Sequence, residues 1–175
     1  RVSNPSNQNN TPTAPKLLKY LIKHRHWSPF EMASMTLEIK TSRAIAAQVL
    51  RHRSFSFQEF SQRYSVAQEL EPVELRQQAV KNRQSSTSEF TNSTFLAKTR
   101  EHLAKSVALY NEAIKLGVAK ESARLLLPLT TETTMYMAGT IRSWVHYIDL
   151  RSQEDTQKEH RDIAVKCRDI FCENF

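Results

Sequence analysis

The sequence predicts an α+β fold, mostly helical with a small antiparallel sheet, in a single domain over residues 1–175. Three observations carry this. Apolar residues recur at three- and four-residue steps in several windows, as amphipathic helices require. One stretch alternates instead: Met35, Leu37 and Ile39 interleave with Thr36, Glu38 and Lys40, the period of a half-buried strand. The chain holds only two glycines, Gly117 and Gly139, which excludes a Walker A loop and a G-x-G-x-x-G turn. Any phosphate-bearing ligand must then be held by side chains.

Taken in order, residues 1–13 are polar and predict loop, or the tail of an interrupted element. Pro15 opens a helix whose apolar face is Leu17, Leu18, Leu21 and Ile22. It ends near His24 to His26, and Ser28-Pro29-Phe30-Glu31 marks a turn or a helical start. After the alternating stretch, Ser42 can cap a second helix striped by Ile45 and Val49. On it Ala44, Gln48 and Arg51 share a face. Phe55, Phe57, Phe60 and Tyr64 suit an extended segment. Over residues 59–63 it places Glu59, Ser61 and Arg63 on one side, with Phe60 and Gln62 on the other.

Residues 68–94 predict loop with one short helix near 72–82, and the Ser-Ser-Thr-Ser run at 85–88 predicts a mobile surface. A long amphipathic helix starts near Ser93, with Leu96, Leu103, Val107, Tyr110 and Ile114 inward and Gly117 as its C-terminal cap. Residues 120–127 form a short helix ended by Pro128. The chain restarts at 130–134, and a helix is predicted from there to Leu150, with Met137, Ile141, Trp144, Val145 and Ile148 on its apolar side. Arg151 is aimed along that same side, while Arg142 and His146 pair on a different face. The final helix runs from Glu154, with Ile163, Ala164, Cys167, Ile170 and Phe171 inward.

No apolar run approaches the roughly 20 residues that span a bilayer, so no membrane partner is expected. The net charge of +7 suits solubility or a polyanionic ligand. Cys167 and Cys172 lack zinc-spaced partners, which predicts neither a disulfide framework nor a metal site. Free thiols fit a reducing cytoplasm.

The chemistry concentrates in Gln48–Tyr64. Arg51, His52, Arg53, Glu59, Ser61 and Arg63 fall in one short span. Buried charge is costly unless paired or bound to something, so the span reads as an anion-binding site with a nucleotide as the natural ligand. A nucleic-acid-binding module instead puts basic residues on one outer face with stacking aromatics. Here the arginines converge with Gln, Glu and Ser, which fits a pocket and predicts no nucleic-acid partner.

Arg51-His52-Arg53, seven residues and then Ser61 resemble the R-H-R-x7-S signature of the flavin-dependent thymidylate synthases. The flanks resemble that family too: Gln48, Glu59 and Arg63-Tyr64, then His26-Trp27-Ser28-Pro29-Phe30-Glu31 upstream. Downstream the similarity runs through Arg124-Leu125-Leu126-Leu127-Pro128 and from Arg142-Ser143 to Leu150-Arg151. Arg1-Val2-Ser3 resembles a family segment just after the first strand, which predicts a fragment lacking its extreme N-terminus and that strand.

The resemblance implies a homotetrameric enzyme with sites between subunits that converts dUMP to dTMP. Methylenetetrahydrofolate would give the one-carbon unit, and FAD reduced by NADPH would carry the reducing equivalents. It implies dUMP contacts for Gln48, Val49, Leu50, Arg51, Glu59 and Phe60, and for Ser61, Gln62, Arg63, Arg124 and Arg151. It implies FAD contacts for Ser3, Ser28, Arg51, His52, Arg53 and Glu59, and for Thr140, Ile141, Arg142 and His146. Arg151 takes the catalytic role: a cation at the uracil carbonyl and N3 favours the N3-deprotonated ring. Ser61 reads as a dUMP hydrogen-bonding group, with nucleophile as the alternative, because a nucleophilic serine needs a base within reach. Thr140 stands where relatives often carry Asn and His146 where some do, and Asp155-Thr156 replace a His-Ala pair seen in some members, which bears on the FAD contacts.

Overall fold

The computed structural model describes residues 5–64 and 69–174. The helices and strands are α1 (Ala14–Lys23), β1 (Ser34–Ser42), α2 (Arg43–Val49), β2 (Ser56–Glu59), β3 (Arg76–Gln78), β4 (Ser86–Glu89), α3 (Ser93–Lys115), α4 (Lys120–Ala123), β5 (Glu132–Thr140), α5 (Ile141–Arg151) and α6 (Lys158–Asn174). Single 3-10 turns stand at Pro5–Asn7, Thr11–Thr13, Ser28–Glu31 and Arg124–Leu126. The predicted class, α+β and mostly helical with small antiparallel sheets, is the observed one.

The period-2 reading of residues 35–40 holds and extends to the whole of β1, which pairs antiparallel with β5 from Ser34↔Thr140 to Ser42↔Glu132. β2 pairs with the other edge of β5, giving the order β1-β5-β2. Paired residues point to the same face. The inner face therefore carries the row Leu37, Met137 and Phe57, then Ile39, Met135 and Glu59, then Thr41 and Thr133. This face grades from apolar to polar along its length. Helices α2, α5 and α6 close over the apolar part through Ile45, Val49, Trp144, Tyr147, Ala164 and Cys167.

Gly139 is needed for this packing. A β-carbon there would lie 2.4 Å from the Phe55 ring, and Phe55 in turn meets Trp144 edge-on with centroids 4.9 Å apart. The indole Nε1 of Trp144 donates to the Met35 carbonyl at 2.9 Å, so the largest core side chain is also satisfied. Gly117 caps α3 as predicted, with φ at 86° and its N–H on the Ile114 carbonyl at 3.1 Å.

Five expectations are corrected. The helix predicted to follow the restart at 130–134 is strand β5 up to Thr140, and the helix begins only at Ile141. Thr133, Met135 and Met137 are buried while Tyr136 is exposed, which is a two-residue period, and the β-branched threonines favour it. Residues 72–82 contain no helix; strand β3 stands there and pairs with β4 in a hairpin. The Gln78 amide donates to the carbonyls of Arg83 and Ser85 at 3.1 and 2.9 Å, closing the turn that a helix would have needed open. Residues 86–88 of the Ser-Ser-Thr-Ser run lie in its exposed second strand, and Ser85 just precedes it.

The extended segment ends at Glu59, and residues 61–64 form a turn in which the Tyr64 N–H donates to the Ser61 carbonyl at 3.2 Å. Arg63 therefore does not continue the Glu59 face. α2 stops at Val49, so Arg51 lies past its end and does not share a helical face with Gln48. The last helix starts at Lys158 rather than Glu154.

Candidate active site

The site grows from the point where the inner sheet face turns polar. Glu59, in the row of Ile39 and Met135, receives Arg43 Nη1 at 3.0 Å and Thr133 Oγ1 at 2.8 Å, both on Oε1. Directly past α2 comes the Arg51-His52-Arg53 turn, with the His52 N–H donating to the Val49 carbonyl at 3.1 Å. The turn points Arg51 and Arg53 outward and His52 inward.

Arg151 Nε donates to His52 Nε2 at 2.9 Å. An arginine carries no acceptor, so His52 must present a lone pair at Nε2 and carry its proton on Nδ1. Burial, then the Arg151 and Arg51 charges, hold its pKa below the usual histidine value. The ring stands edge-on to Tyr147 at 4.9 Å.

Behind it, His160 is 1% exposed. Its Nε2 lies 3.2 Å from the Tyr147 hydroxyl and its Nδ1 lies 3.4 Å from Gln48 Oε1. Gln48 donates its amide to Gln157 Oε1 at 2.7 Å. Its oxygen therefore faces His160, which donates from Nδ1 and accepts the tyrosine hydroxyl at Nε2. Burial, then the charges of Arg151 and His52, push His160 down to about 4. Burial raises Tyr147, so its hydroxyl stays protonated and available as a donor.

Gln48, His52 and Arg151 are thus brought together through Tyr147 and His160. Arg63 and Arg124 meet elsewhere, around Glu121: Arg63 Nη2 is 3.5 Å from its carboxylate, and Arg124 Nε donates to its carbonyl at 3.2 Å. Ser61 sits in the adjoining turn, with its Oγ accepting the Arg63 N–H at 3.2 Å. Phe60 is exposed, with its ring 6.1 Å from Tyr136. Gln62 is 8% exposed, and its amide nitrogen has no partner among the described residues. Leu50 is partly exposed and Val49 is fully buried. The Val49 side chain belongs to the apolar core.

A cleft of about 530 Å³ is lined by Glu31, Ser54, Thr140, Arg142, Ser143 and His146. Arg142 pairs with Glu31, and the exposed His146 ring packs on Trp27 at 4.8 Å. Thr140 caps α5, its Oγ1 accepting the Ser143 N–H at 3.2 Å. Of the residues predicted on the flavin side, Thr140, Arg142 and His146 line this cleft. Ser28 is exposed in the turn that carries Glu31. The Ile141 side chain is buried, while its N–H donates to the Ala33 carbonyl at 2.9 Å. Ser3 lies outside the described residues.

Sequence reasoning singled out neither Arg43, Thr133, Glu31, Tyr147, His160 nor Gln157. Glu31 stood inside a quoted stretch, but its partner is 111 residues away. The Gln48–His160 contact spans 112 residues, and no local pattern announces it. Among the described residues no group of three His, Cys, Asp or Glu is placed to hold a metal ion, and no helix is long and apolar enough to cross a membrane.

The family described as thymidylate synthase complementing protein matches residues 1–175. A probable flavin-dependent thymidylate synthase of Paramecium bursaria Chlorella virus 1 is 58% identical over 179 residues, covering 100% of this chain and 83% of the viral one. The flavin-dependent thymidylate synthase of a Synechocystis strain is 54% identical over 178 residues, covering 100% of this chain and 82% of its own. A crystal structure of the UMP/dUMP methylase PolB from Streptomyces cacaoi, bound with 5-Br dUMP, superposes with a TM-score of 0.81 at 25% identity, covering 93% of this chain and 76% of that one. With the arginine–histidine turn held against the end of α5, these matches establish that the chain belongs to the flavin-dependent thymidylate synthases.

Proposed function

We propose that the chain reductively methylates dUMP to dTMP, with methylenetetrahydrofolate as one-carbon donor and NADPH as reductant. The observation that carries the reading is the Arg151–His52 contact of 2.9 Å, which ties the end of α5 to the signature turn. Only Nε of Arg151 is used there; its two terminal nitrogens take no hydrogen bond among the described residues. They are the pair of donors that a planar carbonyl-containing ring calls for. In this reading Arg151 donates to the uracil carbonyl and favours ionisation at N3 by opposite charge.

Gln48, Arg51, Glu59, Ser61, Gln62, Arg63 and Arg124 are assigned to dUMP, with the arginines on phosphate and sugar. Leu50 and Phe60 contribute exposed apolar surface, and Val49 contributes only backbone. Ser61 is assigned to binding rather than attack, and its Oγ already accepts the Arg63 N–H at 3.2 Å.

FAD is assigned to the cleft of Glu31, Ser54, Thr140, Arg142, Ser143 and His146, with Ser28, His52 and Arg53 at its margin. The fit rests on the donor set: a guanidinium, an imidazole and three hydroxyls suit a polar, anionic cofactor. When bound, the flavin supplies the reducing equivalents. Arg63 and Arg124 gather around Glu121 rather than Arg151, beside the exposed Tyr64, Leu125 and Leu129. Apolar exposure of that kind supports subunit contact, so we assign this face to a homotetramer that completes the site.

The test is tritium release from dUMP labelled at C5, with FAD, NADPH and methylenetetrahydrofolate present. Release that depends on all three is the expected result. Purified protein that is colourless, takes up no added FAD and releases no tritium overturns the reading.

A further inference from the structure

Glu59 stands in an awkward place for a carboxylate. It ends β2 on the inner sheet face, level with Met135 and Ile39, and its side chain is 22% exposed. Such a charge needs a partner, and Arg43 supplies it from the first turn of α2. The Arg43 backbone is itself anchored. Its N–H donates to the Thr131 carbonyl at 2.9 Å, and the preceding Ser42 N–H donates to Glu71 Oε2 at 2.9 Å.

The geometry of the pair is one-sided. Arg43 Nη1 and Thr133 Oγ1 converge on the same oxygen, Oε1, at 3.0 and 2.8 Å. Oε2 takes no hydrogen bond among the described residues. Arg43 Nε is buried and has no partner among them either, so the guanidinium is used end-on. An ion pair shaped for attraction alone uses the fork in two parallel bonds. The terminal torsion of a glutamate is broad and roughly two-fold, so a free Glu59 would offer either oxygen in many orientations. Two donors on one oxygen remove that freedom and leave the other as a fixed acceptor.

We propose that Arg43, backed by Thr133, is a positioning residue: it clamps Glu59 Oε1 so that Oε2 is pre-aimed at an N–H or O–H of the bound nucleotide. This rests on the dUMP reading above. An acceptor already in place needs no reorganisation when the ligand arrives. Arg43 itself touches no substrate. The sheet does not need it for pairing, since β1 and β5 are in register along nine residues each.

The test is steady-state tritium release by R43L, R43K and T133V, with melting temperature and flavin absorbance recorded for each. R43L is expected to raise KM for dUMP about tenfold with a smaller change in kcat, the pattern of lost uniform binding. R43K restores a donor at Oε1 and brings KM back to within about threefold of wild type. T133V, which keeps the ion pair, raises KM about threefold and serves as the deciding variant where R43L does not fold. The proposal is overturned by wild-type KM in R43L or T133V. It is equally overturned if R43K matches R43L in KM, or if melting temperature alone moves. Wild-type protein that releases no tritium sinks the dUMP reading and this proposal with it; normal wild-type turnover with an unchanged T133V sinks the proposal alone.

Discussion

Arg151 and His52 are 99 residues apart in sequence and 2.9 Å apart in space, with the arginine Nε as donor and the histidine Nε2 as acceptor. That one contact sets the tautomer of His52 and leaves the two terminal guanidinium nitrogens without a hydrogen bond among the described residues. It also places the Arg151 cation near His160, where it adds to burial in keeping that ring neutral.

Arg151→Ala removes both the proposed uracil contact and the donor to His52. Turnover should fall by about a hundredfold or more, the scale of losing one preorganised donor at a developing charge. Loss of a half-buried hydrogen bond costs only about 1 kcal/mol, so the far-ultraviolet circular dichroism should be unchanged. Arg151→Lys should not restore activity, because an ammonium cannot keep Nε on His52 and two further nitrogens on one ring. Unchanged tritium release in the alanine variant removes the role assigned to Arg151.

His160 makes stability depend on pH in one direction. Its folded pKa of about 4 lies below the ordinary 6.5, so the unfolded chain binds more protons between those values. The contribution is complete above pH 6.5 and is lost as pH falls toward 4. The shift corresponds to roughly 3 kcal/mol at most. The lowered pKa of His52 acts in the same direction. Urea titrations from pH 7 down to pH 4 should show this decline, and His160→Phe should flatten it. A wild-type curve that is level over this range contradicts the burial of a neutral imidazole.

Gly139→Ala inserts a methyl group 2.4 Å from the Phe55 ring, which is braced by Trp144. Overpacking of this kind costs about 1 to 3 kcal/mol, and the melting temperature should drop accordingly. Phe55→Leu in the same chain should recover part of the loss by freeing space. A double variant no more stable than Gly139→Ala argues against the close approach.

The two thiols should differ sharply. Burial pushes the Cys167 thiol up to about 12, whereas Cys172 is exposed. The thiolate is the reactive form, so a chromogenic disulfide reagent at pH 8 should label Cys172 quickly and Cys167 only after denaturation. Rapid labelling of both in the native state would mean that α6 does not pack as described.

Much of the site's inventory was readable along the chain, because its residues cluster in one span. Arg51, His52, Glu59, Ser61 and Arg63 were all singled out from type and spacing, as was Arg151 at the end of an apolar helix side. The residues that hold them were not. Arg43 clamps Glu59 from the start of α2, and Thr133 reaches it from a strand whose later part the sequence presented as a helix. Met137 fitted an apolar helical stripe running on to Ile141 and Trp144. Only pairing with β1 and β2 shows that its segment alternates.

By itself the sequence determined what short-range rules govern: the alternation of β1, the stop of α3 at Gly117, the lack of glycine-rich phosphate loops, and the residue types of the signature turn. These follow from side-chain periodicity and backbone freedom, which act within a few residues. Tertiary structure alone decided that residues 132–140 are a central strand, that Gln48 and His52 share a buried network with His160, and that Arg63 and Arg124 collect around Glu121 instead of Arg151. Those outcomes depend on which distant groups satisfy one another once water is excluded. A buried donor or charge accepts whichever partner the closed fold brings within reach.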